Sequence, residues 1–73
     1  MKERSRFAER TLRAARVRNL ASRVFTTDAA IADWFQAPAP ALNYKKPAEL
    51  LDTDAGAREV EAVLHGIAYG NIM

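Results

Sequence analysis

Pro38 and Pro40 stand at alternate positions in the run Ala37-Pro38-Ala39-Pro40-Ala41, and they decide how the chain can be divided. Each removes a backbone donor and pushes the residue before it toward extended geometry, so neither a helix nor a central strand passes through. On the N-terminal side, Glu3 to Phe25 contains no proline and no glycine. Good helix formers dominate there, and fifteen alanines bias the whole chain the same way. One long helix, or two abutting ones, is expected before the connector.

The apolar residues of that segment do not form one stripe. Val17, Leu20, Ala21 and Val24 share a face at spacings of three and four, whereas Phe7, Ala8, Leu12 and Ala15 drift to another side. Either the helix breaks near Arg16–Asn19 or its first half packs on something other than its own domain. Thr26-Thr27-Asp28 offers side-chain oxygens to cap a short helix from Ala29 to about Gln36, with Ile31, Trp34 and Phe35 facing inward. Trp34 reads as core rather than as an interface anchor. Leu42 plugs the core from the connector.

Pro47 suits the first position of a helix, so Pro47 to Leu51 reads as one helical turn or slightly more. Thr53 caps a last helix from Asp54 to Tyr69, with Asp54 and Glu59 near its positive end and Val60, Val63, Leu64 and Ile67 as its stripe. Gly70 is the expected left-handed stop, and Asn71-Ile72-Met73 follows as a tail. The fold class is therefore all-α: a small bundle of about four helices with a C-terminal tail. Its core draws on Val24, Trp34, Phe35, Leu50, Leu51, Val60, Leu64 and Ile67. Two regions are distinguished, a basic N-terminal helix over 1–23 and a domain with its tail over 24–73.

A single domain of 73 residues buries only about three-fifths of its unfolded surface, so a partner matters to its stability. The net charge of +2 conceals an asymmetry. Residues 1–25 hold eight basic side chains against Glu3 and Glu9, for +6, and the remainder holds three against seven acidic ones, for −4. Head-to-tail association or an acidic partner fits that split. The absence of cysteine excludes disulfides, thiolate metal sites and thiol nucleophiles. No apolar run approaches the roughly 20 residues that span a bilayer, and the basic start leads into Phe7-Ala8-Glu9-Arg10 rather than a signal core. A cytoplasmic protein without a membrane role is expected.

Catalytic constellations are not found. Ser5 and Ser22 have no histidine and carboxylate arranged by motif, and the carboxylates are scattered singly. His65 follows Glu61 by one turn, but two ligands on one helix without a third make no metal site, so surface pairing is expected. Gly56, Gly66 and Gly70 lie in or at the end of one helix and form no phosphate loop. No catalytic, metal-binding or cofactor-binding residue is assigned, and the chain is not read as an enzyme. Gly66 costs about 1 kcal/mol inside a helix, which either close approach of another backbone or tolerance near the helix end explains.

The order Val24-Phe25, Ala32-Asp33-Trp34-Phe35, Pro40 and Leu42, then Pro47-Ala48-Glu49-Leu50-Leu51-Asp52-Thr53-Asp54-Ala55-Gly56-Ala57, then Val60, Leu64, Ile67 and Tyr69-Gly70, resembles the C-terminal toxin-binding domain of the Xre/MbcA/ParS antitoxins. Asn43-Tyr44 stands where that family commonly has glycine, and asparagine tolerates the left-handed conformation such a turn needs. The resemblance implies an antitoxin that neutralises a RES-domain, NAD-consuming toxin. The family usually carries an N-terminal DNA-binding region, and about 23 residues before Val24 are too few for one, whether it is naturally absent or removed. The resemblance further implies that the end of the last helix and the tail block the toxin's active-site entrance. It thereby names Tyr69, Gly70, Asn71, Ile72 and Met73, together with His65, as toxin contacts.

Phe7, Leu12, Arg13 and Arg16 are the candidates for oligomerisation or for gripping the toxin, in a homo-oligomer or a hetero-oligomeric complex. Nucleic acid is the weaker reading of the arginines, since Glu3 and Glu9 interrupt the patch and no complete helix-turn-helix is present. Two alternatives stand beside the antitoxin: a small basic DNA-binding or nucleoid-associated protein, and a bare oligomerisation module.

Overall fold

The computed structural model describes residues 6–70, with Arg6 described by its backbone only. Three α-helices and two 3-10 turns follow one another: α1 (Arg6–Ala21), α2 (Asp28–Gln36), η1 (Pro40–Leu42), η2 (Pro47–Asp52) and α3 (Asp54–Ala68). There is no strand among the described residues; a single antiparallel bridge joins Ala39 to Lys45.

Helix α1 runs unbroken through Arg16–Asn19, against the first of the two expectations. It ends at Ala21, before the expected Phe25, where the ladder tightens to bonds of the i to i+3 kind from Arg23 to Leu20 and from Val24 to Ala21. The Ser22 hydroxyl donates to the Asn19 carbonyl at 2.6 Å, competing for a helix-terminal acceptor. Thr27 caps α2 by accepting from the Ala30 amide at 3.1 Å. Pro47 opens η2 at its first turn, and Thr53 caps α3 by accepting from the Gly56 amide at 2.9 Å.

The core is formed by Val17 and Ala21 of α1, Ile31 and Phe35 of α2, Ala39, Leu42, Leu51, and Ala57, Val60 and Leu64 of α3. Val24, Trp34 and Leu50 lie partly buried against it. Trp34 stands edge-on to Phe35, with centroids 5.2 Å apart, and the Arg18 guanidinium lies over the Phe35 ring, 5.7 Å from its centre. Ile67 departs from the core expectation, being 48% exposed. It lies beyond Leu64, the last fully covered residue of the α3 stripe.

The connector turns through two consecutive residues with positive φ, Asn43 at 58° and Tyr44 at 64°. The asparagine was expected to accept this. The tyrosine is the costlier of the two, and it is held by its amide bonding the Ala39 carbonyl at 2.8 Å.

The two glycines inside α3 answer to different causes. A Cβ on Gly56 would sit 2.1 Å from the Leu50 carbonyl oxygen, so α3 touches η2 backbone to backbone. A Cβ on Gly66 would meet nothing within 4 Å, which rules out close approach within its own fold. Substitution by alanine therefore acts with opposite signs. Gly56→Ala should cost about 2 kcal/mol or more, lowering the thermal midpoint by roughly 10 °C. Gly66→Ala should gain about 0.5–1 kcal/mol. Thermal melts of the two variants beside the parent check both.

Candidate protein-binding site

The first half of α1 docks on its own domain, by a route that apolar patterning does not register. Arg10 donates through Nε to Asp52 Oδ1 at 2.6 Å and through NH2 to the Ala48 carbonyl at 3.1 Å. Arg13 donates to the Leu51 carbonyl at 3.0 Å and to the Asp52 carbonyl at 2.9 Å. The two carbonyls that Arg13 reaches, of Leu51 and Asp52, are at the C-terminal end of η2, where carbonyls lack partners within the turn and attract cations, whereas Arg10 spans the turn from the Ala48 carbonyl to the Asp52 carboxylate. One turn on, Arg16 Nε bonds Glu61 Oε2 at 2.6 Å.

The expected Glu61–His65 pairing is thus replaced, since the Glu61 carboxylate goes to α1. The charge split of the sequence is answered in part inside the molecule: basic α1 lies on Asp52 and Glu61. Arg13 and Arg16, candidates for gripping a partner, are already engaged within the chain, while Phe7 and Leu12 are exposed at 80% and 48%.

These contacts also fix direction. Arg13 meets the residues just before α3, Arg16 meets Glu61, and the Asn19–Arg23 end shares a groove with His65 and Tyr69. Helices α1 and α3 therefore lie side by side, pointing the same way.

Beyond Leu64 no element covers α3 fully, and its last turns present two surfaces. Toward α1 lies an open polar groove of about 510 Å³, walled by Arg16, Asn19, Arg23, Glu61, His65 and Tyr69. The His65 and Tyr69 rings stack there, with centroids 5.6 Å apart and planes 16° from parallel. Toward η1 lies a shallow, mostly apolar groove of about 380 Å³ lined by Ala41, Ala62, Val63, Gly66 and Ile67. Tyr69 closes the helix, its amide bonding the His65 carbonyl at 2.9 Å, and Gly70 follows at φ 78°, the left-handed stop. Tyr69 is 60% exposed. The structure thus places His65, Ile67, Tyr69 and Gly70 together at one end of the molecule. Asn71, Ile72 and Met73 lie outside the described residues.

Among the described residues no polar or charged side chain is buried, and no group of three or more His, Asp or Glu is placed to hold a metal ion. None of their helices is long and apolar enough to cross a membrane. The chemistry on offer is that of a surface: an exposed aromatic pair, an apolar shoulder and flanking arginines at the end of a rigidly seated helix. These features define a small helical binding module.

Residues 20–70, more than two-thirds of the chain, match the family model of the antitoxin Xre/MbcA/ParS C-terminal toxin-binding domain. The chain belongs to that family and carries a toxin-binding antitoxin domain of a toxin–antitoxin system. No match was found among curated proteins or among solved structures. The matched span begins at Leu20, so most of α1, including Phe7, Leu12, Arg13 and Arg16, precedes it.

Removing the arginine contacts separates their two kinds. Arg13→Met should destabilise the domain by about 1–2 kcal/mol, because the part-covered Leu51 carbonyl loses its donor and the exposed Asp52 carbonyl a second bond. Arg16→Met should cost less than about 1 kcal/mol, since its pair with Glu61 is an accessible ion pair. Urea unfolding of both variants measures the difference.

Proposed function

We propose that this chain neutralises a RES-domain toxin, an enzyme that consumes NAD, by seating the end of α3 and the tail at the entrance to the toxin's active site. The observation that supports this most is the contrast along α3: a first turn locked to η2 at Gly56, and a last turn that holds Ile67, Tyr69 and the His65–Tyr69 stack out of the core. An aromatic held on a rigid helix end loses little freedom on binding, which favours it as an interface anchor. Gly70 redirects the chain there, and Asn71, Ile72 and Met73 carry on from it, supplying an amide and two apolar side chains for a pocket.

In this reading the protein acts in the bacterial cytoplasm as the antitoxin of a type II pair, without a cofactor, in a hetero-oligomeric complex with its toxin. The arginine helix has less to offer nucleic acid than its composition suggests, because Arg10, Arg13 and Arg16 are bonded to η2 and α3.

The test is NAD consumption by the RES-type toxin encoded beside the gene, with the full protein, with a version ending at Gly70, and with Tyr69→Ala. The full chain should inhibit, and both altered forms should need at least about tenfold more protein for the same effect. Undiminished NAD consumption with the full chain would overturn the role. Equal inhibition by all three would move the contact to the helices.

A further inference from the structure

The outward face of α1 carries Ala8, Leu12, Ala15 and Asn19 at spacings of four, three and four, the rhythm of a coiled-coil seam. Val17 and Ala21 hold the opposite face in the core, while Leu12 and Ala15 are exposed. Glu9 and Arg16 follow Ala8 and Ala15 directly, so they lie seven residues apart on one flank of that seam. In an antiparallel pair of identical helices each flank meets its own copy. Glu9 of one protomer then faces Arg16 of the other, and the two-fold axis makes the pair twice. A parallel pair would set Arg16 against Thr11 instead.

Both charges are available for this. Glu9 is exposed and makes no ion pair among the described residues. Arg16 uses Nε for Glu61, and its side chain is 54% exposed, which leaves its terminal nitrogens for a second carboxylate. Beside them an open groove of about 330 Å³, lined by Glu9, Leu12, Arg13, Arg16 and Asp54, has room for an incoming side chain. The seam is complementary in size as well: the register that joins the charges sets Leu12 against Ala15 of the other copy, large against small.

We propose that a second copy of this chain covers the α1 face in antiparallel orientation, through Leu12, Ala15 and the reciprocal Glu9–Arg16 pairs. The surface is that of one helix of 16 residues, below the roughly 1,200 Å² of a tight interface, so the dimer dissociates on dilution. Because α1 and α3 point the same way, antiparallel pairing sends the two α3 ends to opposite ends of the dimer. Each remains open to its own partner. The inference stands on α1 alone and does not depend on the identity of the toxin.

Sedimentation equilibrium over micromolar to millimolar concentrations tests it with the full chain, with Glu9→Arg, with Arg16→Glu, and with an equimolar mixture of the two variants. The parent should dimerise. Each variant alone brings like charges together and should weaken dimerisation at least about tenfold, whereas the mixture restores both opposite-charge contacts and should recover it. Leu12→Glu, an exposed change to a good helix former, should leave the far-UV circular dichroism unchanged and abolish the dimer. A parent that stays monomeric throughout, variants that dimerise like the parent, or a mixture that fails to recover would each overturn the proposal. So would a monomeric parent whose Leu12→Glu variant loses toxin or DNA binding, since the face would then belong to that partner.

Discussion

Everything in this small domain is arranged around the contact between the first turn of α3 and the backbone of η2. Gly56 sits where any Cβ would strike the Leu50 carbonyl, and the Thr53 hydroxyl accepts from the Gly56 amide in the same turn. With that contact made, Leu51, Ala57, Val60 and Leu64 meet Val17 and Ala21 in one core, and α3 acquires its direction. A chain this short has little apolar area to spend, so a single misplaced turn would leave too few buried contacts to hold the rest.

The second organising force is electrostatic and concerns carbonyls as much as carboxylates. The end of a 3-10 turn offers unpaired carbonyls, which Arg13 reaches, while Arg10 bonds the Ala48 carbonyl and the Asp52 carboxylate, both from a helix whose facing side lacks enough apolar residues to dock otherwise. The basic start and acidic remainder of the chain are thus partly matched within one molecule. That leaves α1 with an outward face, bearing Leu12 and Ala15, that is exposed to solvent.

Much of the fold was legible because it rests on local chemistry. Thr53 caps α3 as expected, Thr27 is the one of the three candidates Thr26-Thr27-Asp28 that caps α2, Pro47 opens η2, Leu42 fills the core from the connector, and Gly70 stops α3. What patterning missed depends on distant partners. Apolar periodicity sees only apolar contacts, so it offered a broken helix or a foreign partner for α1 and had no term for an arginine bonded to a carbonyl 38 residues away. Ile67 continues the α3 stripe in sequence but is left 48% exposed, on the wall of the shallow groove it shares with Ala41. Tyr44 at positive φ gave no signal, as tyrosine is not a residue that a left-handed turn selects. The Gly56 contact left a faint trace, a glycine three residues after a capping threonine. At the end of α3 the His65 and Tyr69 rings stack beside Gly70, and nothing in the spacing foretold that Glu61 would leave His65 for Arg16.

The central claim is that a rigidly seated helix presents its far end, and the residues after it, to a toxin. Hydrogen exchange followed by mass spectrometry, on the protein alone and in complex with its toxin, addresses it most directly. The account predicts that amides from Ile67 to Met73 gain strong protection on binding, while those of α2 and of the Asn43–Tyr44 turn exchange as before. Protection confined to α2 and the connector, with the end of α3 unchanged, would contradict it.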